Sequence, residues 1–90
     1  MPEVVLYDAL ERMVKAAERN DYLEVRTVNG EFSGLLRQEF GQLPNWSMDA
    51  RVLMYDRCAN SAVYSVTQQP SREEHLHRMW ERFSEIPKPE

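Results

Sequence analysis

The side chains of this chain that could take part in catalysis are one cysteine and two histidines. Cys58 lies in the polar stretch RCANS, and His75 and His77 lie near the start of the last amphipathic segment. A catalytic thiolate needs a lowered pKa, an adjacent base and a third group that orients the base. Nothing in the spacing brings such groups together, and no glycine-rich motif accompanies Cys58. We therefore expect no catalytic residues, and a Cys58-centred enzyme ranks behind the other functions.

The two histidines are also the first candidates for a metal site. Residues two apart on a helix point to different faces, so His75 and His77 cannot chelate one ion as an i, i+4 pair would. A single cysteine excludes a cysteine-rich site. The adjacent carboxylates Glu73 and Glu74 suit the start of a helix, where the helix dipole favours negative charge. We expect neither a metal nor a cofactor, and no phosphate-binding or dinucleotide motif is present.

Length and charge narrow the class of protein. The 90 residues suffice for one domain with a modest core, here residues 1–90 with 87–90 as a frayed tail. The formal net charge of -4 argues against a nucleic-acid binder, because neutralising phosphates requires a surplus of Lys and Arg. No apolar run exceeds the length of Val52–Tyr55, far below the ~18 residues of a membrane span. With no secretory leader visible, a cytoplasmic protein without membrane contact is expected.

Two segments have the periodicity of amphipathic helices. In residues 2–19 the apolar side chains follow the i, i+3, i+4, i+7 spacing of one helical face, and Asn20 can take a left-handed stop. A second helix is predicted after Ser71, which has capping-box spacing to Glu74. The apolar stripe of this second helix comprises Leu76, Met79, Trp80, Phe83 and Ile86.

The stretch TVNGEFSGLLRQ, residues 27–38, predicts a β-hairpin. The dipeptide Asn29-Gly30 favours a two-residue type I′ turn between strands at 22–28 and 31–38. This register separates an apolar face from a polar one, which supports the pairing. The apolar face comprises Leu23, Val25, Thr27, Phe32 and Leu36, and the polar face comprises Glu24, Arg26, Glu31, Ser33 and Arg37.

The second half of the chain is predicted to complete a sheet. After a loop at 39–50, the segments RVLMYD and AVYSVT favour two strands joined by the turn RCANS. A short helix capped by Ser47 is the alternative for the first of them. The order of elements predicts an α+β domain, α-β-β-β-β-α, with a small antiparallel sheet of about four strands flanked by an N-terminal and a C-terminal helix.

The predicted hairpin has a second interpretation. The segment V-N-G followed by a strand glycine and L-L resembles the first motif of the Sm-like RNA-binding family over about a dozen residues. The resemblance implies a small barrel that binds RNA or single strands, with Tyr22 or Tyr64 stacking on bases. Three residues separate its two glycines, where that family usually has four, so we rank this alternative second.

The remaining candidate is a protein-binding surface. Aromatic side chains and Arg dominate the hot spots of protein interfaces. The polar face of the hairpin also carries Tyr22, Val28 and Leu35, which is an unusual amount of apolar area for a solvated side. We predict a small non-catalytic protein-binding module, an adaptor or inhibitor of the kind that phages also encode, which binds another protein and forms a homodimer. The expected anchors are Trp46, Met48, Tyr22 and Leu35, and the expected charged rim is Glu24, Arg26 and Arg37.

Overall fold

The described part of the chain folds into helices. In the computed structural model, which describes residues 2–89, α1 spans Pro2–Glu18, α2 Tyr22–Phe40, α3 Ala50–Thr67 and α4 Arg72–Glu85. Single 3-10 turns at Trp46–Met48 and Gln69–Ser71 precede α3 and α4. Residues 2–89 contain no strand. The predicted α+β domain with its antiparallel sheet is therefore wrong.

The helices form two hairpins that pack together around one core. The first hairpin pairs α1 with α2, and the second pairs α3 with α4. α1 is the most deeply buried element, with Leu10, Met13 and Val14 fully excluded from solvent. α2 also packs on α3, whereas α2 and α4 share no extended interface. The two outer helices, α2 and α4, consequently each keep one face in solvent.

The prediction for the first helix is confirmed. α1 ends at Glu18, one residue before the expected end, and Asn20 has the left-handed φ of 58° that was proposed as the stop. Asp21 then caps α2, since its side chain accepts a hydrogen bond of 3.1 Å from the backbone N–H of Glu24. The two helix ends thus leave a three-residue connection, which makes α1 and α2 antiparallel neighbours.

The predicted strands at 22–28 and 31–38 are one continuous helix, α2. A type I′ turn requires positive φ at both central residues, yet neither Asn29 nor Gly30 has it. The buried side chains recur at helical spacing, whereas Leu23, assigned to the apolar strand face, is 76% exposed. The buried set is Val25, Val28, Phe32, Leu36 and Phe40.

Packing energy explains why this segment is helical despite its glycines. A glycine inside a helix costs about 1 kcal/mol relative to alanine. Burying a Val, Leu or Phe side chain stabilises the fold by about 1.5–3 kcal/mol. The five buried side chains of α2 therefore outweigh Gly30 and Gly34. The Sm-like alternative loses its basis as well, because it needs a barrel strand at this position.

The predicted strands at 51–56 and 62–67 also lie in one helix, α3. The expected turn RCANS supplies its centre, because Cys58 and Ala59 are buried between Tyr55 and Ala62 at helical spacing. The helix alternative was correct in kind but not in extent, since Asp49 rather than Ser47 is the cap and the helix continues to Thr67. Among residues 2–89, no helix combines the length and apolar character needed to cross a membrane.

The last helix is confirmed, with two differences in detail. Ser71 occupies the N-cap position, but its hydroxyl donates to the carbonyl of Gln68 instead of closing a capping box. Met79 and Ile86 are buried as expected, whereas Trp80 remains 41% exposed. The indole N–H of Trp80 donates to the carboxylate of Glu18 at 2.8 Å, which holds the ring across the edge between α4 and α1.

Candidate functional site

The surroundings of Cys58 disfavour a nucleophilic thiolate. Its side chain is fully buried in α3, and its thiol lies 3.6 Å from the carbonyl oxygen of Met79. Burial raises the pKa of Cys58 to about 12, an effect that the charge of Arg82 opposes only in part. At neutral pH the sulfur is a protonated thiol packed between α3 and α4, which argues against a Cys58-centred enzyme.

The two histidines have separate surroundings. His75 stacks near Tyr64, with ring centroids 5.4 Å apart, and its Nε2 lies 3.1 Å from the side-chain oxygen of Gln68. His77 lies on the solvent side, 3.7 Å from the carboxylate of Glu81. In the part of the chain that the structure describes, no group of three His, Cys, Asp or Glu side chains could hold a metal ion.

An apolar recess lies at one end of the bundle. There the start of α1, the end of α2, the start of α3 and the segment after α4 meet around a pocket of about 130 Å³, here called the end pocket. Most of its lining is aromatic or aliphatic, so it offers an apolar floor. The lining residues are Glu3, Phe40, Arg51, Met54, Tyr55, Ile86, Pro87 and Pro89.

The one guanidinium at the end pocket is already paired. Arg51 binds both carboxylate oxygens of Asp49, at 3.0 and 2.9 Å, and lies 4.8 Å from the centre of the Phe40 ring. Hydrogen bonds from the Arg51 side chain and backbone lower the pKa of Asp49 to about 2. Asp49 therefore stays ionised at physiological pH and neutralises Arg51.

Carboxylates give the rim of the end pocket a negative charge. Glu3 lines the pocket, and both Glu3 and Glu39 lie close enough to raise the pKa of Arg51 after its partner Asp49. Burial raises the pKa of Tyr55, and the charge of Glu3 raises it further, so the phenol remains a neutral donor. With the Asp49–Arg51 pair neutral, two carboxylates remain beside an apolar floor.

A shallow groove lies between α1 and α2, and its residue Glu39 directly precedes Phe40 of the end pocket. It is lined by Val5, Leu6, Leu35, Gln38 and Glu39. Val5 is 48% exposed and Leu35 is half-buried, so their side chains form an apolar strip beside Glu39. Of the seven predicted binding residues, Leu35 alone borders this region.

Three other predicted residues lie on the outer face of α2. The hydroxyl of Tyr22 accepts a hydrogen bond of 2.8 Å from Arg26, whose guanidinium also lies 5.6 Å from the Tyr22 ring centre. Arg37 is exposed three turns further along the helix. Glu24 instead turns towards α1, where its carboxylate lies 3.6 Å from Arg12.

The predicted anchors of the loop differ in exposure. Met48 is 72% exposed, whereas Trp46 is half-buried against the core. The seven residues are thus distributed over the outer face of α2, its flank towards α1, the groove and the loop. The hairpin face that was predicted to carry those of residues 22–37 does not exist. Their role in partner binding stays a prediction.

The end pocket was missed from the sequence because four separate segments build it. Only the helical recurrence of apolar residues from Val25 to Phe40 could have indicated that α2 continues to this end.

Comparison with known proteins adds no candidate: no family model matches the chain, and neither a curated protein nor a solved structure is significantly similar to it.

Proposed function

We propose that this protein is a small non-catalytic protein-binding module, an adaptor or inhibitor, that takes an apolar side chain of its partner into the end pocket. The observation that carries the proposal is the apolar floor formed by Phe40, Met54 and Ile86, where four segments converge. Apolar anchors seated in such recesses supply most of the binding energy of protein interfaces. The cytoplasmic location expected from the sequence belongs to the same proposal.

The size of the end pocket favours a side chain over a whole small molecule. Sites for metabolites and drug-sized ligands usually enclose about 300–1,000 Å³. At about 130 Å³, the end pocket is well below that range. Its aromatic and aliphatic floor suits a Leu, Ile, Met or Phe side chain, while the rest of the partner would lie across the rim.

The negative charge of the rim indicates which residues of the partner should lie next to that side chain. Among residues 2–89, Glu3 and Glu39 form no ion pair within 4 Å, and both lie near the Asp49–Arg51 pair. A partner segment that carries Lys or Arg next to its apolar anchor would therefore meet complementary charge, which raises the association rate and suppresses acidic competitors. The groove with Val5 and Leu35 extends the apolar surface in one direction from the pocket.

The test is affinity capture with paired variants of α3. Met54 is 36% exposed and lines the end pocket, whereas Tyr64 is 44% exposed and lies outside it. The immobilised wild type, Met54→Glu and Tyr64→Glu are each incubated with lysate of the native host, and retained proteins are quantified by mass spectrometry. We expect a protein that the wild type and Tyr64→Glu retain and Met54→Glu loses.

Two controls make the capture decisive. Thermal midpoints within a few degrees of the wild type show that both variants are folded, and Val5→Glu provides a second disruption at the adjoining groove. Retention of the same proteins by all variants, or of none by the wild type, would refute binding at the end pocket.

A further inference from the structure

The end of the bundle opposite the end pocket carries the most exposed large apolar side chain among residues 2–89. Leu23, in the first turn of α2, is 76% exposed. Phe40 ends the same helix and lines the end pocket, 17 positions and roughly 25 Å further along. Because Cα–Cβ bonds tilt towards the start of a helix, the Leu23 side chain leans away from the end pocket and cannot reach the one in its own chain.

Leu23 belongs to a small surface group with Tyr22 and Arg26, here called the Leu23 cluster. Leu23 and Arg26 are three residues apart on a helix and therefore share a face. Tyr22 is 41% exposed, and its hydroxyl accepts the 2.8 Å hydrogen bond from Arg26. The Arg26 guanidinium, 5.6 Å from the centre of the Tyr22 ring, is thus held one turn from Leu23.

The Leu23 cluster has an unmatched positive charge. The two carboxylates nearest to Leu23 in the sequence each have an arginine: Asp21 lies 3.6 Å from Arg19, and Glu24 lies 3.6 Å from Arg12. Among residues 2–89, Arg26 forms no ion pair within 4 Å. The charge of Arg26 is therefore left to a contact outside the chain.

The Leu23 cluster has the chemistry that the end pocket requires of its occupant. The pocket has an apolar floor, and Glu3 and Glu39 give its rim a negative charge. Leu23 is an apolar anchor, and Arg26 is a cation one turn away from it. Met48 is comparably exposed at 72%, but it lies just before α3, at the same end of the bundle as the pocket.

We propose that Leu23 of one copy inserts into the end pocket of a second copy, with Arg26 beside the carboxylates of the rim. This inference rests on the proposed function, because both require the end pocket to accept an apolar side chain. Since the two sites lie at opposite ends, two copies cannot exchange the contact, and the association is head-to-tail. The first product is a dimer, and its free ends can take further copies. Self-association fills the pocket and so competes with another partner protein.

The test is the mass of the protein by light scattering at increasing concentration, up to about 1 mM to include weak contacts. We expect the mass of the wild type to rise with concentration, and to rise less in high salt. Leu23→Glu and Met54→Glu are each expected to be monomeric, because one lacks the inserted side chain and the other the apolar floor. Their equimolar mixture is expected to form a dimer and nothing larger, since the contact can then form in one direction only.

Controls separate the contact from net charge and from folding. Ser33→Glu adds the same charge as Leu23→Glu to an exposed position of α2 outside both sites, and it should assemble like the wild type. Arg26→Glu should raise the Kd of association by about tenfold or more, because it brings like charges together at the rim. Circular dichroism verifies that each variant is helical. A wild type that stays monomeric would overturn the proposal, as would assembly by either single variant or a folded mixture that remains monomeric.

The lysate capture described above distinguishes this proposal from the proposed function. Leu23→Glu leaves the end pocket intact and unoccupied, so it should retain the host protein at least as well as the wild type. Retention of that protein by a wild type that is monomeric in solution would overturn self-association alone. Assembly of the wild type without any captured host protein would overturn the adaptor or inhibitor function and support the second copy as the occupant.

Discussion

Replacing Gly30 and Gly34 by alanine is expected to stabilise the protein. Both glycines lie in the interior of α2, neither has a positive φ, and the space that a methyl group would take is open. Alanine is the best helix former because it loses less backbone entropy on folding than glycine and buries no polar group. The substitution therefore changes local propensity without altering the packing of the core.

The magnitude follows from helix propensity. Each change is worth up to about 1 kcal/mol. Gly30 and Gly34 lie one helical turn apart, but both changes act on backbone entropy and not on a shared contact, so their sum of about 2 kcal/mol is the upper limit for the gain of the double variant. For a domain of this size, 1 kcal/mol corresponds to a shift of roughly 4–8 °C in the thermal midpoint. A rise of about 10 °C for the double variant is thus expected.

The assay is urea and thermal unfolding followed by circular dichroism. Gly41→Ala is the matched control, since a Cβ there would collide with the carbonyl oxygen of Arg37 and should destabilise the protein. The sign at Gly30 is decisive. In a type I′ turn, alanine would be forced to a positive φ at a cost of about 1–2 kcal/mol. A lower midpoint for Gly30→Ala would therefore refute the helical assignment of α2.

Two further predictions follow from the burial of Cys58 and from the different exposure of Trp46 and Met48. Cys58 should resist thiol reagents at pH 8 until the protein is denatured. Its pKa in the folded protein, about 12, exceeds the ordinary value of 9.0. The free energy of unfolding should therefore fall as pH rises from 9 towards 12, and it should fall less steeply in Cys58→Ala. Labelling of the native thiol at the rate of a free cysteine would contradict this. Trp46→Ala should lower the stability by about 2 kcal/mol, roughly half the cost at a fully buried site, whereas Met48→Ala should leave the midpoint unchanged in the same thermal scan. Equal midpoints for the two variants would show that Trp46 does not pack on the core.

The first and last helices could be predicted because their local signals agree. α1 has one uninterrupted apolar stripe, and Asn20 provides a stop. α4 begins after a proline and Ser71, and its apolar residues recur every three or four positions. When periodicity and end signals indicate the same structure, no distant contact is needed to choose between alternatives.

α2 could not be assigned in this way because two periodicities share its key residues. Val25, Phe32 and Leu36 fit both the apolar face of a hairpin and one face of a helix. The deciding residues are Val28, which is buried, and Leu23, which is exposed. Their burial depends on α1 and α3, which pack against α2. The dipeptide Asn29-Gly30 favoured the hairpin, but turn preference is a local effect that the packing of a continuous helix outweighs.

The sequence by itself determined the acidic charge, the single cysteine, the separation of the two histidines and the first and last helices. The tertiary structure decided which face of α2 is buried, that Cys58 lies in a core and that four distant segments form the end pocket. The physical reason is the range of the interactions involved. Charge and end signals are properties of neighbouring residues, with local preferences near 1 kcal/mol. Each buried apolar side chain contributes about 1.5–3 kcal/mol, and that contribution exists only when a distant helix arrives to cover it.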